Sequence, residues 1–201
     1  TFFDQVAGPS PTPGGGTVSA FVGALAATLP AMVAGLTLGK KKYAAHEEAM
    51  KEVRRKGAAL RVKLLGLARK DSEAFDAVLR ARKLSQASPA DTEAREKAMA
   101  AADLEAMRVP LETAQACLEV LELAAEVAEK GNVNAASDSG VAGLLAYAAS
   151  EGALLNVEVN LKSAGQSADK TDIEMSLQRI RTALGPLARR CQDAVHAALS
   201  A

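Results

Sequence analysis

The sequence predicts an all-α fold, a single-domain helical bundle with long, partly kinked helices. Apolar residues recur at spacings of three and four along most of the 201 residues, which is typical of amphipathic helices. No segment keeps the two-residue alternation of a strand for long, and no hairpin dipeptide separates two such runs. Neither an internal repeat nor a flexible linker divides the chain, so residues 1–201 are predicted to form one domain.

The first predicted helix runs from Thr17 to Gly39, after an irregular Pro/Gly-rich start at residues 8–16. It carries no charge and is long enough to span a bilayer. Small residues dominate it, however, and Pro30 interrupts its middle. A small-residue stripe allows another helix to approach closely, and it consists of Ala20, Ala24, Ala27, Ala31 and Ala34. We therefore expect a buried helix that packs inside the monomer or across a dimer, and no membrane insertion.

Four more helical stretches follow from periodicity and from turn signals. They extend from Ala44 to about Leu84, from the loop Ser85–Asp91 to Lys130, from Ser137–Asp138 to about Lys162, and from the loop Ser163–Thr171 to the C-terminal region. Pro110 marks a kink or a fresh N-terminus within the second of these stretches. Ser137 and Asp138 are predicted N-caps, and Gly185–Pro186 predicts a kink in the last helix.

Composition excludes several classes of function. Lys plus Arg and Asp plus Glu both number 24, so no net charge favours nucleic acid or an anionic membrane. Aromatic residues make up only 3 %, which leaves few rings for stacking on bases. Two isolated cysteines indicate a reducing compartment, and residues 1–16 lack the pattern of a signal peptide, so a cytoplasmic protein is expected. His46 and His196 have no ligand spacing, so no metal site is predicted.

The most informative single residue is Asp71. It interrupts an otherwise apolar helical face made of Leu60, Leu64, Leu67, Phe75 and Val78. A buried carboxylate costs free energy unless it is paired, hydrogen-bonded or protonated. Asp71 is therefore either a structural residue bonded to a neighbouring helix or a proton-transfer group with a raised pKa.

Two polar clusters flank the first helix. The turn Pro11–Thr17 contains Gly14, Gly15 and Gly16 and leads into a helix N-terminus, where backbone N–H groups either bind an anion or belong to a plain helix cap. Lys40-Lys41-Lys42-Tyr43 follows the helix, and its lysines either receive an anionic ligand or stabilise the helix C-terminus.

Two further clusters lie in the second half of the chain. The run Asn132–Asp138 is suited to capping the next helix. Asn156 and Asn160 continue a stripe of four alanines at helical spacing. Such a face accommodates either another helix or a flat heterocycle held by amide hydrogen bonds.

Five blocks in order resemble the cyclodeaminase/cyclohydrolase family. They are Pro13-Gly14-Gly15-Gly16-Thr17-Val18, Leu36-Thr37-Leu38-Gly39-Lys40-Lys41-Lys42-Tyr43, Asp71-Ser72-Glu73-Ala74-Phe75, Asn132 to Ser137-Asp138, and Asn156-Val157-Glu158-Val159-Asn160-Leu161. This family includes the cyclodeaminase half of formiminotransferase-cyclodeaminase and stand-alone bacterial methenyltetrahydrofolate cyclohydrolases. The resemblance covers residues 2–198, without the formiminotransferase half. Thr17 departs from the family pattern, which usually has Ser there.

The resemblance implies a helical homodimer that binds a reduced, polyglutamylated folate in a groove lined by these blocks. Asp71 matches the acidic residue implicated in catalysis. Asn156 and Asn160 are suited to the pterin, and Lys40, Lys41, Lys162 or the Gly14–Gly16 helix start to the anionic tail. The full predicted binding set is Gly14, Gly15, Gly16, Lys40, Lys41, Asn132, Ser137, Asp138, Asn156, Asn160 and Lys162.

The activity that the resemblance favours is conversion of 5-formimidoyltetrahydrofolate to 5,10-methenyltetrahydrofolate and ammonia, with Asp71 moving the proton. The alternative is hydrolysis of the methenyl compound to 10-formyltetrahydrofolate. A second alternative is a non-catalytic folate-binding or helical adaptor protein. No cofactor beyond the tetrahydrofolate substrate, no metal, no nucleic acid and no membrane partner are expected.

Overall fold

The computed structural model describes residues 1–164 and 168–200, and every regular element in these ranges is helical. The helices are α1 (Phe2–Val6), α2 (Gly15–Thr37), α3 (Glu47–Arg82), α4 (Pro89–Lys130), α5 (Ala136–Ser163) and α6 (Ala168–Leu199). Short 3-10 turns precede α3 and α5, at Lys41–His46 and Val133–Ala135. The predicted all-α helical fold is confirmed.

Helix α2 lies at the centre of the bundle, in contact with α3, α4 and α5. Ala20, Ala27 and Ala34 of its small-residue stripe are fully buried, as expected for a helix that neighbouring backbones approach closely. By length and composition, α2 and residues 133–163 are each apolar enough to cross a membrane. However, 50 % of the most apolar stretch of α2 is buried inside the bundle. In residues 133–163, 44 % of the most apolar stretch is buried.

Glycines set the distance between several helix pairs. A Cβ on Gly23 would lie 2.5 Å from the Cys117 sulfur, between α2 and α4. A Cβ on Gly143 would lie 2.7 Å from the Cys191 sulfur, between α5 and α6. Because real Cβ atoms do not approach other atoms so closely, these pairs can pack at their present distance only with glycine.

The prolines inside α2, α4 and α6 do not start new helices. Pro110 lies inside the continuous helix α4, so no fresh N-terminus forms there. Pro30 and Pro186 likewise lie inside α2 and α6. Burial offsets the lost backbone hydrogen bond, because Pro30 and Pro110 both pack into the core. Gly39 ends α2 with a φ of 76°, in the left-handed region that favours glycine.

One helix was not predicted, and the predicted cap of another was wrong. Helix α1 is too short for a periodic signal, and it forms through a capping box between Thr1 and Asp4. Ser137 and Asp138 do not cap α5, because the helix already begins at Ala136. The Asn132 side chain caps the preceding turn instead, by accepting a hydrogen bond from the Asn134 N–H at 3.2 Å. The predicted loop 163–171 is partly helical, and its residues 165–167 lie outside the described residues.

Candidate active site

A cavity of about 230 Å³ lies at the end of the bundle where α2 begins. The start of α2, the second half of α3, the first half of α4 and the last turns of α5 form its walls. Its lining includes Thr12, Gly14, Gly15, Gly16, Asp71, Phe75, Val78, Arg82, Asp103, Asn156 and Asn160. The structure thus brings Asp71 together with the glycine turn and both asparagines.

Asp71 is half-buried in this cavity, at a point where α3 crosses the first turn of α2. The Thr17 hydroxyl donates a hydrogen bond to Oδ2 of Asp71 at 2.8 Å. Burial raises the pKa of Asp71 above its ordinary value, and the hydrogen bonds from the Thr17 side chain and backbone only partly oppose this effect. Asp71 is therefore hydrogen-bonded to a neighbouring helix and also suited to proton transfer near its raised pKa.

The predicted apolar face changes its environment along α3. Leu60, Leu64 and Leu67 are buried in the core. Phe75 is 37 % exposed and lies at the cavity, so the prediction that it belongs to the core face was wrong. The cavity opens where α3 passes the start of α2, and this long-range arrangement has no signal in the local periodicity.

The glycine turn has a steric role at the site. A Cβ on Gly16 would overlap with the carboxylate of Asp71. At Gly15 the nearest atom to a Cβ would be Nδ2 of Asn156, at 3.5 Å, which is an ordinary contact. Gly14 is the N-cap residue of α2, and no side chain caps this helix. Gly16 therefore allows the carboxylate to lie directly against the helix start.

Asn156 and Asn160 present their amide oxygens as acceptors. The Asn156 amide nitrogen donates to the Gly152 carbonyl at 2.8 Å, and the Asn160 amide nitrogen donates to the Ala106 carbonyl at 2.6 Å. A carbonyl oxygen can only accept, so each NH₂ group must face the backbone. Both Oδ1 atoms are then left as hydrogen-bond acceptors for a ligand. The Asn160 bond also joins α5 to α4.

Two charged residues in the cavity escaped the sequence analysis, namely Arg82 and Asp103. Burial raises the pKa of Asp103, and the positive charge of Arg82 opposes this shift. In the sequence both resemble ordinary polar positions of amphipathic helices, so no local signal distinguishes them. Thr17 was noted only as a departure from the family pattern, and its contact with Asp71 depends on the tertiary structure.

The other predicted binding blocks lie far from this cavity in the same chain. Lys40, Lys41 and Asn132 lie near the C-terminal end of α2, about 35 Å from Gly15 at 1.5 Å per residue. Ser137 and Asp138 lie in the first turn of α5, at the opposite end of that helix from Asn156 and Asn160. A single chain therefore does not form one groove from all five blocks.

Asn132 has a structural role at that opposite end. It is buried, and its backbone N–H donates to the Thr37 hydroxyl at 2.8 Å. The neighbouring Val133 N–H donates to the Tyr43 hydroxyl at 3.1 Å. These bonds fix the start of α5 against the end of α2, and they leave Lys40 and Lys41 exposed to solvent.

Lys162 lies outside the cavity, although it belongs to the last turn of α5. It lines a wide, open groove of about 1000 Å³ between α5 and α6, together with Glu158, Met175 and Gln178. The two cysteines are buried and free. Burial raises the pKa of the Cys117 thiol to about 12 and that of Cys191 to about 11, so neither is suited to act as a thiolate nucleophile.

A half-buried carboxyl group in a cavity with oriented carboxamides is typical of enzymes that work by proton transfer. Comparison with known proteins then specifies the family. A profile described as formiminotransferase-cyclodeaminase matches residues 1–179. The chain therefore belongs to the formiminotransferase-cyclodeaminase family, and the resemblance seen in the five sequence blocks is confirmed.

Three relatives illustrate this membership. A methenyltetrahydrofolate cyclohydrolase from Methylorubrum extorquens is 43 % identical over 199 residues, which cover 97 % of this chain and 94 % of that enzyme. A formimidoyltransferase-cyclodeaminase from Sus scrofa is 32 % identical over 90 % of this chain and 33 % of its own length. The crystal structure of a formiminotetrahydrofolate cyclodeaminase from Thermotoga maritima superposes with a TM-score of 0.88, with 32 % identity, over 98 % of this chain and 94 % of that one.

Proposed function

We propose that this chain is an enzyme of tetrahydrofolate one-carbon chemistry, and that it hydrolyses 5,10-methenyltetrahydrofolate to 10-formyltetrahydrofolate. The observation that carries the proposal is Asp71, a half-buried carboxyl group with a raised pKa in a cavity. Similarity at 43 % identity to a cyclohydrolase, over nearly the whole of both chains, favours hydrolysis. The cyclodeaminase reaction is the second candidate, supported by the 32 % identical Thermotoga enzyme.

In hydrolysis, water attacks the carbon that bridges N5 and N10 of the folate. Asp71 in its carboxylate form accepts a proton from this water as the tetrahedral carbon forms. It then gives this proton to N5 as the bond between N5 and the carbon breaks. The hydroxyl on the carbon loses its proton to solvent and becomes the carbonyl of the formyl group on N10, so one proton is released for each cationic methenyl substrate. Such positioned acid–base catalysis contributes a rate gain of about 10²–10⁴.

In the cyclodeaminase reaction, N10 attacks the carbon of the formimidoyl group on N5, and this group starts in its protonated form. Asp71 accepts the proton from N10 and delivers it to the departing nitrogen, which leaves as ammonia. Both reactions pass through a tetrahedral carbon between N5 and N10, so the same carboxyl group serves either one. Neither sequence of steps requires a cofactor besides the folate.

The polar groups of the cavity favour one orientation of the substrate. The amide oxygens of Asn156 and Asn160 and the carboxylate of Asp103 are acceptors, and a reduced pterin presents N–H donors along its edge. A cavity of about 230 Å³ is smaller than the pockets that enclose drug-sized ligands. The pterin end therefore enters the cavity, and the glutamate tail stays outside. Arg82 is the positively charged side chain among the residues described as lining this cavity.

A homodimer would complete the site. The neighbouring helices α2 and α5 expose apolar side chains on their outer faces. These side chains are Phe21, Leu25, Met32, Leu36, Val141, Leu144, Leu155 and Val159. Such a surface favours contact with a second copy. Antiparallel pairing along α2 would bring Lys40 and Lys41 of one copy toward the cavity of the other, where they could receive a polyglutamate tail. With this face covered, the protein would be soluble and cytoplasmic, without a membrane or nucleic-acid partner.

A spectrophotometric assay of the methenyl chromophore tests the proposal. The purified chain is offered 5,10-methenyltetrahydrofolate in one cuvette and 5-formimidoyltetrahydrofolate in another. Accelerated loss of the chromophore in the first supports the cyclohydrolase, and its appearance with ammonia in the second supports the cyclodeaminase. If neither cuvette responds, a non-catalytic folate-binding protein replaces both candidates, and equilibrium binding of reduced folate is measured next.

A further inference from the structure

We propose that Thr17 is the positioning residue for Asp71, and that its hydroxyl fixes the orientation of the carboxyl group against the first turn of α2. This inference deepens the proposed function and rests on it. The Thr17 hydroxyl donates to Oδ2 of Asp71 at 2.8 Å across the contact between α2 and α3. No other side chain among the described residues donates to the Asp71 carboxyl group, so the Thr17 hydroxyl is the side-chain group that orients it against the first turn of α2.

The environment of Thr17 gives its hydroxyl few alternatives. Thr17 is only 3 % exposed, so solvent has little room to replace it. Its oxygen also lies 3.3 Å from the hydroxyl of Ser72, the residue after Asp71. An ionised carboxylate only accepts, so the Thr17 hydrogen points to Asp71, and Ser72 then donates to Thr17. Gly16 supports this arrangement, because a Cβ there would overlap with the carboxylate.

Loss of the Thr17 hydroxyl has a defined consequence for protonation. A donor to the carboxylate stabilises its charged form, so removing that donor raises the pKa of Asp71. The other charged groups that line the same cavity are Arg82 on α3 and Asp103 on α4, and both stay unchanged in the variants described next. The α5 residues there, Asn156 and Asn160, do not titrate. Because Asp71 acts first as a base, the acidic limb of the kcat profile should move to higher pH.

The test compares Thr17→Val with Thr17→Ser in the full-length protein. Thr17→Val keeps the shape of the side chain and removes its hydroxyl, and it should lower kcat about tenfold, the cost of one hydrogen bond to a charged group. Thr17→Ser keeps the hydroxyl and should retain the pH profile. Thr113→Val is the matched control, because Thr113 is also buried but donates only to the Val109 carbonyl of its own helix.

Two readouts separate this inference from the proposed function. The first is kcat against pH, and the second is the pKa of Asp71 itself, followed through the NMR shift of its labelled carboxyl carbon. An upward pKa shift in Thr17→Val alone supports the positioning role, even if the wild-type chain turns over neither folate. If the Asp71 pKa is the same in Thr17→Val and the wild type, the inference is overturned, whatever the assays show.

Discussion

At the scale of the residue, Asp71 combines a functional advantage with a cost in stability. Its pKa in the folded protein is raised by burial, so folding favours the protonated form. The contribution of this carboxyl group to stability is therefore fully present below its unfolded pKa, and it is lost as the pH rises through the folded pKa. At neutral pH the ionised carboxylate lowers the free energy of unfolding, as expected where a catalytic group is desolvated.

Asp71→Asn should consequently separate activity from stability. The amide cannot accept the proton, so we expect kcat to fall by about 10²–10⁴. The melting temperature at pH 7 should equal or exceed that of the wild type, and this advantage should shrink toward about pH 4, near the unfolded pKa. Asp76→Asn, at an exposed position on the same helix, is the control and should leave both quantities unchanged. Retained activity in Asp71→Asn would remove Asp71 from the mechanism.

Gly16 offers a second experiment at this scale. Gly16→Ala places a methyl group where the Asp71 carboxylate lies, so the carboxylate must move and kcat should fall at least tenfold. Gly66→Ala in α3 is the control, because a Cβ there meets no atom within 4 Å. We expect the control to retain activity and to gain about 0.5–1 kcal/mol in stability. Steady-state kinetics and urea unfolding measure both effects, and equal kinetics in the two variants would contradict the steric role of Gly16.

At the scale of the helix, small residues decide how closely the elements approach. At two helix contacts, a glycine faces a cysteine where many bundles have large interdigitating side chains. These contacts are Gly23 with Cys117 and Gly143 with Cys191. Both thiols are buried, and neither lines the cavity that contains Asp71. We interpret them as packing groups whose size matches the opposing glycine.

A double-mutant cycle tests this interpretation. Gly23→Ala should destabilise the fold by about 1–3 kcal/mol, because the new methyl group overlaps with the Cys117 sulfur. Cys117→Ala removes that sulfur and leaves a small cavity. The double variant should be more stable than the sum of the single effects predicts, with a coupling of about 0.5–3 kcal/mol measured by chemical denaturation. Strict additivity would show that the two side chains do not share the space.

At the scale of the whole molecule, the exposed apolar faces of α2 and α5 are the main unexplained feature of the isolated chain. Leu25 in α2 and Leu155 in the second half of α5 are each 58 % exposed. Large apolar side chains exposed on neighbouring helices are typical of a surface that a partner covers. The proposed dimer covers it, and the same arrangement accounts for family blocks that lie at opposite ends of one chain.

Leu25→Glu should therefore prevent dimer formation. The charge would be placed in an apolar interface, where an unpaired carboxylate is costly. Light scattering after size exclusion should show a monomer for Leu25→Glu and a dimer for the wild type. Val62→Glu is the matched control, because Val62 is 64 % exposed on α3, outside the proposed interface, and it should remain dimeric. A wild-type monomer at micromolar concentration would rule out the dimer.

The sequence by itself determined the helical class, the approximate helix bounds and the candidate residue Asp71. These features depend on local periodicity and on one polar residue in an apolar pattern, which are visible without long-range information. Only the tertiary structure decided which polar clusters meet. It placed Asn156 and Asn160 beside Asp71, added Thr17, Arg82 and Asp103, and put Lys40 and Asn132 at the opposite end of the bundle. The reason is physical, because contacts between helices depend on how α2 to α5 cross, and local spacing does not specify those crossings.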